Sequence, residues 1–209
     1  MRERAEERLV DDVATLKALA DPVRLAILGA LNRHDPQPLS AKELATELDE
    51  PQTKLYRHLK ALEKVALIEV AGTRLVSGIV ESRYRVCQRA LRLSAGIFAE
   101  DSAQRPEALA ALLAGLDSFR RDFERAVRSG RMDLTRPDQG GAPGVFRNSV
   151  LRLTPERAAR LRVELRELLE RAAADEVASD GPGGTGEPGE PGEPVVDVKL
   201  LALMYTEKD

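Results

Sequence analysis

Nine basic residues crowd the segment between Pro51 and Gly96: Lys54, Arg57, Lys60, Lys64, Arg74, Arg83, Arg85, Arg89 and Arg92. The acids there are only Glu63, Glu69 and Glu81, although the full chain of 209 residues has a formal net charge of -3. A local basic face inside a near-neutral chain is the electrostatic footprint expected of a surface for a polyanion. Its densest part is PQTKLYRHLKALEKVALIEV, which begins at Pro51. At about 100° per residue on a helix, Leu55, Leu59 and Leu62 fall on one side. Thr53, Arg57, Lys60 and Lys64 fall on roughly the opposite side, with Tyr56 and His58 read onto the two flanks. The basic group is then a stripe, either a solvated helix face or one that meets nucleic acid.

The chemistry of the second reading follows from groove size. The major groove of B-DNA admits one helix, whose N-terminal residues meet base edges. Gln52, Thr53, Lys54 and Tyr56 stand at that end. Gln pairs with adenine and Lys with guanine. Arg57 and His58 are placed near base edges or phosphate, and Lys60 near phosphate. His58 is alternatively a pH switch or a ligand, against the plainer reading of a flanking position near DNA.

The elements around the stripe decide how it is presented. A first helix is expected from about Arg8 to Leu19, on the spacing of Val10, Val13, Leu16 and Leu19. Asp21 is a good N-cap and Pro22 suits the first helical position of VRLAILGALNR. Ser40 and Glu43 form a capping box ahead of SAKELATELD, with Leu44 and Leu48 as its core pair. DEP is a tight turn into the helix from about Gln52 to Lys64, so two short helices are joined by about three residues in the helix-turn-helix layout. ALIEVAGTRL and GIVESRYRV read as two strands with VSG as the turn. A helix-turn-helix followed by a hairpin is a winged helix. Arg74, Ser77 and Arg83 are the wing residues aimed at the minor groove or its phosphates, unless the hairpin only covers the core.

Beyond the wing, a long helix is expected from about Pro106 to Ser129, with Leu109, Leu112, Leu113, Leu116, Phe119 and Phe123 as its apolar face. That face is either a dimer interface or pocket wall, or intrachain core. VFRNSVLRL reads as a strand, Thr154, Pro155 and Glu156 cap a second long helix to about Ala174, and VVDVKLLALMY reads as a closing strand. Residues about 175–194 are low-complexity and are expected to be a disordered loop. The fold class expected is mainly α with small β: a winged helix-turn-helix over 1–95, and long helices with a small αβ unit over 96–209.

LKALADPVRLAILGAL, SAKELATEL and LYRHLKALEKVALIEV together resemble the ArsR-like winged-helix transcription regulators, over about residues 10–90. The later half resembles longer bacterial members with a helical segment and a small αβ tail. The resemblance implies a homodimer that binds a palindromic operator and usually represses. One departure is plain. Metal-sensing members carry cysteines in the stretch that here reads ELATELDE, or a His/Asp set on the helix after the wing, and no histidine follows His58. No thiolate-type metal site and no cofactor are expected, and a small-molecule effector, if one exists, is unidentified.

Other classes fit less well. No P-loop, G-x-S-x-G, H-E-x-x-H or clustered Cys/His set speaks for an enzyme. Cys87 is the only cysteine, which fits a reducing cytoplasm and reads as half-buried and structural rather than nucleophilic. No apolar run reaches the roughly 20 residues that span a bilayer. The expected function is a dimeric, sequence-specific DNA-binding repressor. The competing reading is a winged-helix module whose basic face binds an acidic protein partner.

Overall fold

The computed structural model describes residues 4–76, 78–130 and 150–174, together with 202 and 204. Residues up to Arg125 form the body of one compact unit, and those from Ala126, including the last long helix, belong to a second. The boundary expected near residue 95 falls inside the first unit.

That unit opens with a strand, β1 (Ala5–Val10), not with a helix. The helix expected from Arg8 starts only at α1 (Val13–Leu19), because the Asp12 carboxylate accepts the Thr15 N–H at 2.8 Å and sets the N-terminus there. The residues before it pair in parallel with β5 (Gln88–Leu93), a strand with no counterpart in the sequence reading. Asp21 then caps α2 (Pro22–Arg33), accepting from the Val23 and Arg24 N–H groups at 2.9 and 3.1 Å.

A two-residue strand, β2 (Leu39–Ser40), leads into α3 (Ala41–Leu48). Here the expected capping box is complete. The Ser40 hydroxyl accepts the Glu43 N–H at 3.2 Å, and the Glu43 carboxylate accepts the Ser40 N–H at 2.7 Å. Asp49, in the left-handed region at φ 53°, ends α3, and α4 (Gln52–Lys64) begins behind Pro51. β3 (Ile68–Val76) and β4 (Ile79–Val86) form the hairpin, joined to β2 in an antiparallel sheet of order β2-β4-β3. The pairs Ile68/Val86 and Val70/Tyr84 alternate as expected, and a bulge between Val70 and Gly72 shifts the register toward the tip.

The core of this unit gathers Leu16, Ile27, Leu31, Leu44, Leu55, Leu59, Leu62, Leu67 and Val86, all essentially without solvent exposure. A short 3-10 turn (Ala95–Phe98) leads to α5 (Arg105–Arg128). The inward side of α5 differs from expectation. Ala108 and Ala111 join the core and Ala114 is buried, while Leu109, Leu112, Leu113, Leu116 and Phe123 stay exposed. Small alanines let the helix lie close to its support, and the leucine stripe is left over.

In the second unit, α6 (Pro155–Ala174) matches the expected helix, with Thr154 accepting the Arg157 N–H. Val150 to Leu153, the described part of VFRNSVLRL, carry no strand. Residues 145–149 of that segment, the low-complexity stretch and most of VVDVKLLALMY lie outside the described residues, as does the small αβ unit they were expected to form. Among the described residues no helix is long and apolar enough to cross a membrane.

Ser40→Ala removes one half of the capping box at a buried position. It is expected to cost about 1 kcal/mol of stability, read as a lower urea midpoint with an unchanged slope.

Candidate nucleic-acid interface

Burial fixes how α4 is turned. Leu55, His58, Leu59 and Leu62 point into the core at i, i+3, i+4 and i+7. Thr53, Tyr56, Arg57, Lys60, Glu63 and Lys64 are exposed on the other side. Three residues, Asp49 to Pro51, separate α3 from α4, so the stripe is carried by the second helix of a helix-turn-helix. No side chain caps the N-terminus of α4. Its first N–H groups therefore keep the partial positive charge that favours an anion.

His58 corrects the sequence reading. It is 3 % exposed and belongs to the apolar stripe, so it cannot meet a base edge or a phosphate. Its spacing from Leu55 and Leu62 carried that signal, since i+3 and i+4 positions share one face. The His58 Nδ1 lies 3.6 Å from the Asp21 carboxylate and makes no hydrogen bond, while Nε2 accepts from the Arg57 Nε at 3.4 Å. Burial pushes the imidazole below its ordinary value; the Asp21 carboxylate pulls it up, and Arg57, Arg24 and Lys54 press it down further. Asp21 thus serves two helices, capping α2 with one oxygen and facing α4 with the other.

The remaining candidates divide into outward and engaged groups. Gln52 is half-buried and donates to the Tyr56 hydroxyl at 2.8 Å; Tyr56 itself is 51 % exposed. Lys54 is held by Glu50 at 2.8 Å, a partly exposed pair of the kind worth at most about 1 kcal/mol, so it yields readily to a stronger anion. Arg57 and Lys60 face solvent.

On the hairpin, Arg74 is exposed near the tip and Ser77 lies outside the described residues. Arg83 is a second correction. It donates to the Pro38 carbonyl at 3.0 and 2.6 Å and pairs with Glu43 at 3.2 Å, at the base of the hairpin. It ties β4 to the start of α3 and is spent there. Burial alone would raise the Glu43 carboxyl, but the Ser40 N–H and hydroxyl together with Arg83 hold it below the usual range.

The basic excess is also smaller in space than along the chain. Arg85 pairs with Glu69 inside the segment, while Glu7 reaches Arg92 from outside it. What stays outward is concentrated on α4. Tyr84 joins that helix to the hairpin: burial raises its phenol, and Glu63 and Tyr56 of α4 add to the rise against the Ser82 side chain. Cys87 is half-buried between β4 and β5.

Two features escaped the sequence reading. Asp21 was legible as a cap but not as the neighbour of His58. Arg8 was read only as the start of a helix, yet its guanidinium donates to the Val65 and Ala66 carbonyls, both at 2.9 Å, and to the Thr15 hydroxyl at 3.2 Å. It closes the C-terminus of α4, where cations are favoured.

Residues 19–71, which span α2, α3 and α4, match the family of a helix-turn-helix domain. Over 62 residues the chain is 40% identical to an uncharacterized HTH-type transcriptional regulator of Methanocaldococcus jannaschii. That alignment covers 30% of this chain and 62% of the archaeal protein, so the chain spans less than two thirds of that relative's length.

Because the folded imidazole titrates below its unfolded value, the unfolded chain binds the extra proton. Stability then rises with pH across that interval and is lost as pH falls through it. The wild type is expected to lose stability relative to His58→Gln as the pH falls below the ordinary histidine value of about 6.5, measured by parallel urea titrations. Parallel curves for the two proteins would sink this assignment.

Proposed function

We propose that this chain is a sequence-specific DNA-binding transcription regulator that acts in the cytoplasm as a homodimer and represses by occupying a two-fold operator. The observation that carries the proposal is the rotation of α4. Its leucines are buried, and Thr53, Tyr56, Arg57, Lys60 and Lys64 stand outward on the second helix of a helix-turn-helix. In this reading α4 enters the major groove, with Gln52, Thr53, Lys54, Tyr56 and Arg57 at base edges and Lys60 at phosphate. The hairpin β3–β4 is the wing, with Arg74 at the neighbouring backbone. The helix-turn-helix match and the name of the archaeal relative support the DNA-binding reading, and the resemblance to ArsR-like regulators supports repression.

A two-fold operator requires two recognition helices about 34 Å apart. The exposed stripe on α5 is the surface we assign to the dimer. Leu109, Leu112, Leu116 and Phe123 recur at steps of three, four and seven residues, and a monomer gains nothing by leaving such a stripe in water.

Fluorescence anisotropy on DNA upstream of the chain's own reading frame, across a salt series, tests the first half. Wild type should bind with a steep salt slope. Lys54→Ala/Arg57→Ala should weaken binding and relax sequence preference, whereas Lys60→Ala should flatten the slope by about one, for the phosphate that is no longer neutralised. Failure to bind even random duplex at low salt would sink the DNA reading and direct the search to an acidic protein partner. Analytical ultracentrifugation tests the second half. Leu109→Asp/Leu113→Asp, at the more exposed positions of the stripe, should sediment as a monomer with the far-UV circular dichroism of the wild type; a wild-type monomer at micromolar concentration would rule the dimer out.

A further inference from the structure

The hairpin carries an apolar edge that the core does not use. Along β4, Val86, Tyr84, Ser82 and Val80 share one face, and their partners across the ladder are Ile68, Val70, Thr73 and Leu75. This face begins in the core, where Ile68 and Val86 are buried. It passes Tyr84, which lies within electrostatic reach of Glu63 and Tyr56 on α4. It ends with Leu75 and Val80, paired directly across the strands and 70% and 67% exposed. The apolar tip is therefore on the face of the hairpin that adjoins the outward side of α4, and it stands open to solvent.

Charge does not explain the tip. Between Thr73 and Ser82 the ionisable residues are Arg74 and Glu81, which sit opposite one another on the reverse face. Their formal charges sum to zero, so net charge does not account for the tip, and Arg74 on the reverse face remains the wing's contact for phosphate. Among the described residues the large apolar side chains open to solvent on this face are Val70, Leu75 and Val80, short of the roughly 800 Å² that each side of a specific protein interface covers. A base step in a minor groove is a small enough target. One or two apolar side chains pushed between bases unstack the step and kink the duplex.

We propose that Leu75 and Val80 form a wedge that enters the minor groove of duplex DNA and bends it at a flexible step beside the α4 contact. This rests on the DNA-binding reading above. It adds a specificity device that α4 lacks: selection for deformable TA or CA steps at positions no polar side chain reads. The contribution is apolar, so it leaves the salt dependence of binding unchanged.

The test uses the full chain and a duplex enriched from a random pool by the wild-type protein. The duplex carries dyes at its two ends and 2-aminopurine placed in turn at each step flanking the protected major-groove site. Wild type should raise 2-aminopurine fluorescence at one flanking step and bend the duplex by roughly 20° or more. Leu75→Ser/Val80→Ser should abolish both signals and weaken binding about tenfold at an unchanged salt slope. Arg74→Ala should keep both signals, and any drop in affinity should come with a flatter slope. Circular dichroism of the double variant should match wild type, because both side chains are exposed.

A double variant that binds, bends and unstacks like wild type overturns the wedge while leaving the DNA-binding reading intact. So does a wild type that binds without raising fluorescence at any step. Loss of self-association in the double variant, with the DNA signals preserved, would assign the tip to a second copy of the chain instead. If wild type enriches no duplex from the pool, the wedge and the reading beneath it fall together.

Discussion

The burial of Leu55, Leu59 and Leu62 is the constraint from which the functional surface follows. Each leucine buried in full is worth about 2 kcal/mol, whereas the ion pairs available to the exposed side of the helix are worth at most about 1 kcal/mol each. Packing therefore decides how α4 is rotated, and the charges accept the result. Thr53, Arg57, Lys60 and Lys64 are outward because the leucines are inward. The same argument explains why polar contacts gather at the ends of the helix. Lys54 and Glu50 pair at its start, and Arg8 caps its last carbonyls. These set the length and exit of α4 without competing for its core.

Asp21 shows how one carboxylate joins two helices. Its hydrogen bonds to the Val23 and Arg24 N–H groups start α2, and its second oxygen lies beside the buried ring of His58. A neutral imidazole in that position needs no counter-ion, while a protonated one would meet Arg24, Arg57 and Lys54 as well as Asp21. Burial and three cations against one anion explain why the ring prefers to be neutral. A histidine on α4 is thus part of the scaffold that aims its neighbours.

Much of the first unit was legible because its signals are local. The Ser40/Glu43 box, the Asp21–Pro22 start and the leucine spacing of α4 each act within a few residues, and all appear where the pattern places them. The hairpin was legible from its alternation. What was missed depends on partners far along the chain. AEERLV has a helical composition, and only pairing with Gln88–Leu93 makes it a strand. Arg83 reads as a wing cation until Pro38 and Glu43 arrive beside it. The charge count over 51–96 overstated the free positive charge because Glu7, Glu43 and Glu50 lie outside that window. His58 is a different case: its spacing was sufficient, and its polar chemistry drew the reading away. On α5, periodicity identified an apolar stripe correctly, but alanines supply the inward contact, and alanine is a weak hydrophobic signal.

The pairing of β1 with β5 has a consequence for the order in which the protein is made. β1 leaves the ribosome first, yet its partner lies beyond α1 to α4 and the whole hairpin. Until Gln88–Leu93 emerge, Arg8 has no sheet to hold it over the end of α4, and the loop to be closed is long. The helix-turn-helix is thus assembled from local contacts before its final clasp exists, and the last strand of the unit to be synthesised locks the first. A nascent chain stalled short of residue 88 would lack the strand that pairs with Ala5–Val10, and the C-terminus of α4 would wait for its clasp.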